Sequence, residues 1–148
     1  MEYKFISPLA VYLPRVTKKG RKMILNKNNE RNWHYIVNNQ VKVAYKQAME
    51  AQLKPARAIK NPVFIALTYW KPTKRRSDRS NVLTIHEKFF CDAFVDAGWL
   101  EDDNDDIILW TTYQGSELDR KNPRVEITVT ELPPRSRSPE NQGSLSLY

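Results

Sequence analysis

The chain has 148 residues, 41% of them hydrophobic and 28% charged, a balance that suits a folded domain whose core needs neither disulfide nor metal. Its one cysteine, Cys91, excludes an intrachain disulfide and points to a reducing cytoplasm, and with only His34 and His86 beside it a four-ligand zinc site is excluded too. No apolar run suffices to cross a bilayer and Met1–Phe5 lacks the layout of a signal peptide, so no membrane partner is expected, whereas a net charge of +7 points to a polyanion.

Taken in order, Tyr3 to Tyr12 reads as extended, because Pro8 and Pro14 forbid a helix of any length. The basic run Lys18-Lys19-Gly20-Arg21-Lys22 reads as a turn or a mobile loop, and Arg21 to Leu25 can add a short strand. A long helix is predicted from Asn29 to Leu53, with Trp33, Val37, Val41, Ala44 and Ala48 as its apolar stripe and Pro55 as its stop. Pro62 to Trp70 reads as a buried strand, followed by a basic loop from Lys71 to Arg79.

A second helix is predicted from Ser80 to Ala97, ended by Gly98. An acidic connection leads to a strand at Ile107 to Tyr113, and Gly115 to Asn122 reads as a polar turn. Val125, Ile127 and Val129 alternate with Glu126, Thr128 and Thr130, the clearest half-buried strand of the chain. The fold class is therefore α/β of the α+β type: a small mixed sheet packed with two main helices, one domain over residues 1–132. Residues 133–148 are too poor in apolar side chains to fold and read as a disordered tail.

Chemistry concentrates in the second half. Five of the six residues from Glu101 to Asp106 are acidic, within a basic chain. Clustered carboxylates repel unless a cation, water or a nearby base relieves them. Enzymes that cut phosphodiesters need this pairing: positive charge to hold the backbone, and carboxylates to hold a divalent metal at the scissile bond. On a helical wheel with Asn81 at zero, Lys88 falls near −20° and Asp92 near +20°, while Leu83, Phe90, Phe94 and Ala97 fall opposite. Simpler roles exist for each group. Asp78 or Ser80 can be the helix N-cap, Lys88 and Asp92 an ordinary ion pair, and Glu101–Asp106 a solvated loop. A calcium loop starting at Asp102 fails, since its sixth position is Ile107 and its twelfth is Tyr113.

Three segments together carry a resemblance. Arg75-Arg76-Ser77-Asp78-Arg79-Ser80-Asn81, Lys88-Phe89-Phe90-Cys91-Asp92-Ala93-Phe94 and Gly98-Trp99-Leu100-Glu101-Asp102-Asp103 resemble the RusA-type Holliday junction resolvases, most closely the phage and prophage versions. That family's pattern is a basic stretch, Asp-x-Asp-Asn, Lys-x-x-x-Asp-Ala, then Gly and paired aspartates. The resemblance implies a RusA-like fold and a homodimeric endonuclease, dependent on Mg²⁺ with Mn²⁺ as substitute, that makes paired nicks in four-way or branched DNA. By position it implies Asp78, Lys88 and Asp103 as catalytic residues and Asp78, Asp102 and Asp103 as metal ligands. Ser80, Asn81 and Asp92 are supporting positions. The loops with Lys18, Lys19, Arg21, Lys22, Lys71, Lys74, Arg75, Arg76 and Arg79 are expected to hold the DNA backbone. One departure stands out: Ser80 occupies the place of the family's second metal-binding aspartate, and a neutral hydroxyl is a weaker magnesium ligand. A junction-binding protein with impaired cleavage is the alternative expectation.

Overall fold

A computed structural model describes residues 1–14, 20–76 and 78–134. Among the described residues nine elements follow one another: β1 (Glu2–Ser7), β2 (Ala10–Leu13), β3 (Arg21–Ile24), α1 (Lys27–Glu30), α2 (Tyr35–Leu53), β4 (Val63–Lys71), α3 (Arg79–Asp96), β5 (Ile108–Leu118) and β6 (Arg124–Glu131). The architecture is α+β, with a mixed four-stranded sheet in the order β1-β6-β4-β5 and a separate β2-β3 ribbon. No helix among the described residues is long and apolar enough to span a membrane.

β4 and β5 are parallel and joined through α3, whereas β6 runs antiparallel to both β4 and β1. Alternation decides which sheet face is covered. Val63, Ile65, Leu67 and Tyr69 of β4 are buried, as are Val125, Ile127 and Val129 of β6 and Phe5 and Ser7 of β1. α3 packs on β4 and β5, and α2 lies against α3 and the ribbon. Phe5, Phe90, Phe94 and Trp99 form an aromatic knot with centroid spacings of 4.8 to 5.4 Å. The Trp99 indole N–H donates to the Leu53 carbonyl at 2.8 Å, tying that knot to the end of α2.

A polar node crosses this core. The Ser7 hydroxyl lies 2.7 Å from the Tyr45 hydroxyl and 2.6 Å from His86 Nδ1, so one side chain of β1 joins α2 to α3. Beside it, the Gln52 side-chain amide donates to the Ile6 carbonyl and its oxygen accepts from the Ile6 N–H, both at 2.7 Å. That pair occupies backbone groups on the outer rim of β1.

Several expectations are corrected. The extended stretch from Tyr3 to Tyr12 breaks at Pro8 into strands of two different sheets. The long helical signal divides into single-turn α1 and the 19-residue α2, which starts after His34, whose side chain caps the Ile36 N–H. The buried line of α2 is Val41, Tyr45, Met49 and Leu53, while Ala48 is exposed. Large side chains gain more from burial than alanine does, so they set the rotation of the helix. β5 runs on to Leu118 through the stretch expected to turn. Gly115 makes this continuation feasible: its φ is +81°, and a Cβ there would meet Thr68 Cγ2 at 3.0 Å and the Tyr69 carbonyl at 3.1 Å. Residues 135–148 of the expected tail lie outside the described residues.

Candidate metal and nucleic-acid site along helix α3

The sequence starts α3 at Asp78, a short acid that reaches back to its own first turn. Asp78 is the N-cap: Oδ1 accepts from the Ser80 N–H at 3.1 Å and from the Ser80 hydroxyl at 2.7 Å. The Ser80 hydroxyl bond, followed by the backbone bond, holds the Asp78 carboxyl below its usual range. Ser80 is thus committed to Asp78. Next to it, Asn81 Oδ1 accepts from the Asn28 N–H at 3.1 Å, and Arg79 donates to the Gly115 carbonyl at 3.1 Å.

The stripe of Asn81, Lys88 and Asp92 faces its neighbours rather than itself. Lys88 Nζ lies 3.5 Å from Glu30 of α1, and Asp92 lies 4.0 Å from Lys42 of α2. The simpler reading of Lys88 and Asp92 as an ion pair with each other gives way to two cross-helix contacts. A base placed N-terminal to an acid is the poorer orientation along a helix, which leaves both side chains free to reach elsewhere.

On the flank of that stripe lies a groove of about 400 Å³ between α3, the acidic loop and β5, lined by Thr84, Glu87, Lys88, Cys91, Asp103 and Trp110 among others. Asp102 and Asp103 are adjacent in sequence and opposite in behaviour. Asp102 accepts from the Asp103 N–H at 2.7 Å and from the Asn104 amide at 3.1 Å, and its carboxyl is lowered, first by that backbone bond. Asp103 is raised, first by partial withdrawal from water and then by Asp102, with Asp92 adding like charge. Neighbouring acids pushed apart in this way are a recurring mark of functional sites.

Glu87 joins them from α3 and accepts a hydrogen bond from the Tyr113 hydroxyl. Burial and then this carboxylate push the Tyr113 phenol up to about 12. Cys91 is likewise pushed up to about 12, first by burial and then by Glu87, Asp103 and Asp92. It stays a neutral thiol at physiological pH and is no nucleophile.

The structure brings Asp103 together with Lys88 and Glu87, and leaves Asp78 at the leading end of the helix. From Asp78, the groove-lining residues Thr84 and Cys91 stand about 9 and 20 Å further along the helix axis. Asp102 turns to its own loop. Among the described residues no group of three His, Cys, Asp or Glu side chains is placed to hold a metal ion. The donors at the groove still fit magnesium chemistry, since this hard cation takes oxygen ligands, keeps several waters and uses one or two carboxylates. Asp103 and Glu87 supply two.

Of the basic residues, Arg21, Lys22, Lys74, Arg75, Arg76 and Arg79 are exposed, and Lys71 is half-buried with its ammonium 3.5 Å from the Arg75 carbonyl. Lys18 and Lys19 lie outside the described residues. Reading the sequence misses Glu87, Glu30 and Tyr113. The wheel held a partial signal for the first, because Thr84, Glu87 and Cys91 form the flank next to the Asn81–Lys88–Asp92 stripe. No protein-family model matches this chain, and no curated protein is significantly similar to it.

Proposed function

We propose that the protein is a magnesium-dependent endonuclease that works as a homodimer on four-way or branched DNA in a bacterial cytoplasm. One observation carries the reading: the Asp103 carboxyl, crowded by Asp102 and Asp92, stands in an open groove with Glu87 and Lys88. Crowded carboxylates beside a lysine suit a dication and a phosphate together. The order of motifs around Asp78, Lys88 and Asp103 adds the resemblance to junction resolvases.

Asp103 and Glu87 are the residues that would hold the ion in one protomer, and Asp78 would join the set only from a second copy. A magnesium ion held by these carboxylates would supply a Lewis acid for the phosphate and a lowered pKa for an attacking water. Lys88 leaves its long, exposed contact with Glu30 at little cost and offsets charge on the phosphate oxygens. Arg21, Lys22 and the loop from Lys71 to Arg79 grip the flanking backbone through its phosphates. A two-fold dimer matches a two-fold substrate, one subunit for each opposed strand.

The test is cleavage of a synthetic four-way junction by the purified protein in Mg²⁺. Asp103→Asn is expected to lower the rate about a hundredfold or more, equivalent to ~2.7 kcal/mol in the barrier. Equal cutting by both proteins, or cutting that persists in EDTA, would overturn the assignment.

A second reading is a junction-binding factor that no longer cuts, favoured by the Ser80 hydroxyl held on Asp78 at 2.7 Å. The two readings part on Ser80→Asp, which restores a carboxylate at that place. A silent wild type made active by this change supports the binding factor, and a wild type that already cuts excludes it.

A further inference from the structure

Glu87 is the groove carboxylate that the fold itself takes hold of. It lies half-buried on α3 and lines the groove with Asp103 and Lys88. Among the described residues no lysine or arginine comes within ion-pair distance of it, and Lys88, its neighbour in sequence, turns to Glu30 instead. Its one side-chain hydrogen bond among those residues comes from Tyr113, whose hydroxyl donates to Oε2. An ionised carboxylate only accepts, so the phenol must be the donor. A half-withdrawn carboxylate that is oriented by a neutral donor and faced by no cation is left with its charge uncompensated.

Tyr113 makes a firm anchor. It belongs to β5, in register with fully buried Leu67 of β4, and its side chain packs against the core. A free glutamate turns about several side-chain bonds and spreads its oxygens over many positions. Tying Oε2 to a phenol on the sheet removes much of that freedom and leaves Oε1 for a ligand. Resting on the nuclease reading above, we propose that Tyr113 is a positioning residue: its hydroxyl sets the Glu87 carboxylate so that, with Asp103, it receives the divalent cation. Carboxylates set in advance bind an ion more tightly than ones that must be ordered on binding, because the ordering entropy is already spent. Tyr113 is not part of the groove lining, so its effect on the ion passes through Glu87.

The probe is Mn²⁺, titrated into the metal-free full chain without DNA, with the free ion read by electron paramagnetic resonance. Tyr113→Phe keeps the ring and its packing and removes only the hydroxyl; a cooperative urea transition establishes that it is folded. It is expected to weaken Mn²⁺ binding about 10- to 100-fold, the usual effect of losing a group that orients a metal ligand. Glu87→Gln weakens binding as well, and adding Tyr113→Phe to it is expected to cause no further loss. A general structural role for the phenol would instead lower affinity by the same factor in both backgrounds. In junction cleavage, Tyr113→Phe should raise the Mg²⁺ concentration for half-maximal rate while leaving the rate at saturating Mg²⁺ within a few-fold of wild type.

Wild-type Mn²⁺ affinity in Tyr113→Phe, or an equal further loss in the double variant, would overturn the positioning role. If Asp103→Asn still loses both Mn²⁺ and cleavage in that case, the nuclease reading stands without Tyr113. Mn²⁺ binding that Tyr113→Phe weakens, in a protein that never cuts a junction, would keep the positioning role and remove the nuclease. A wild type that binds no Mn²⁺ removes both.

Discussion

His86 and Asp103 lie on two sides of the same helix, and their surroundings treat charge in opposite ways. His86 is fully buried, with Nδ1 on the Ser7 hydroxyl and no carboxylate beside it, and burial drives its pKa down to about 3. Tyr45, on the same serine, is pushed upward by the same burial. Every member of that node is neutral at physiological pH. Across the helix, Asp103, Glu87 and Asp92 crowd together at a surface where water tolerates their repulsion. Deep burial without a counter-charge empties a site of charge, while a shallow groove keeps it and leaves it for a ligand to neutralise. The two faces of α3 therefore separate a neutral buried node from a charged, water-facing cluster.

That separation can be broken most forcefully on the buried face. Phe94 is fully buried between Phe90, Trp99 and Phe5. Phe94→Ala is expected to cost about 3–5 kcal/mol in denaturant unfolding, and a loss below 1 kcal/mol would mean the aromatic knot is not the core. Next comes the polar node. Ser7→Ala strands the Tyr45 hydroxyl and His86 Nδ1 without a partner and should cost about 1–3 kcal/mol; an unchanged midpoint would place water or a new partner there.

Acid sharpens the same comparison. The folded pKa of His86 lies below its ordinary value of 6.5, so between 6.5 and about 3 the unfolded chain binds a proton that the folded chain refuses. The stability contributed by neutral His86 is complete above pH 6.5 and is lost as pH falls toward 3. The stability gap between wild type and His86→Gln should therefore shrink from pH 7 to pH 4. A constant gap would show that the imidazole is not held neutral. The smallest effect is expected on the wet face, where Lys88→Met removes an exposed pair and should change stability by less than about 1 kcal/mol. On the proposed nuclease reading, the same change should abolish most junction cleavage. If it unfolds the protein instead, the division of labour between the faces fails.

Periodicity made much of this scaffold legible. The alternation in β4 and β6 and the apolar side of α3 are local patterns, fixed by side-chain spacing alone. The rotation of α2 was not, because Ala44 and Ala48 match the period as well as Tyr45 and Met49 do, and only the size of the facing cavity decides between them. Asp78 as a cap was open to inspection, since a short acid ahead of a helix has a local reason to be there. The groove was not open in that way. Asp103 meets Glu87 and Lys88 because the loop after Gly98 folds back along α3, and no residue within that loop encodes which flank it chooses. Ser7, Tyr45 and His86 are separated by 38 and 79 residues, and their meeting is a property of packing.

The amide of Gln52 has an effect beyond its own two hydrogen bonds. It behaves as a one-residue strand laid along β1, so a visiting chain finds the Ile6 donor and acceptor already taken. Unlimited ribbons grow only when both borders of a sheet accept new neighbours, one after another. Here the Ile6 position of the β1 border is closed to a visiting strand, and β5 forms the opposite border of the sheet.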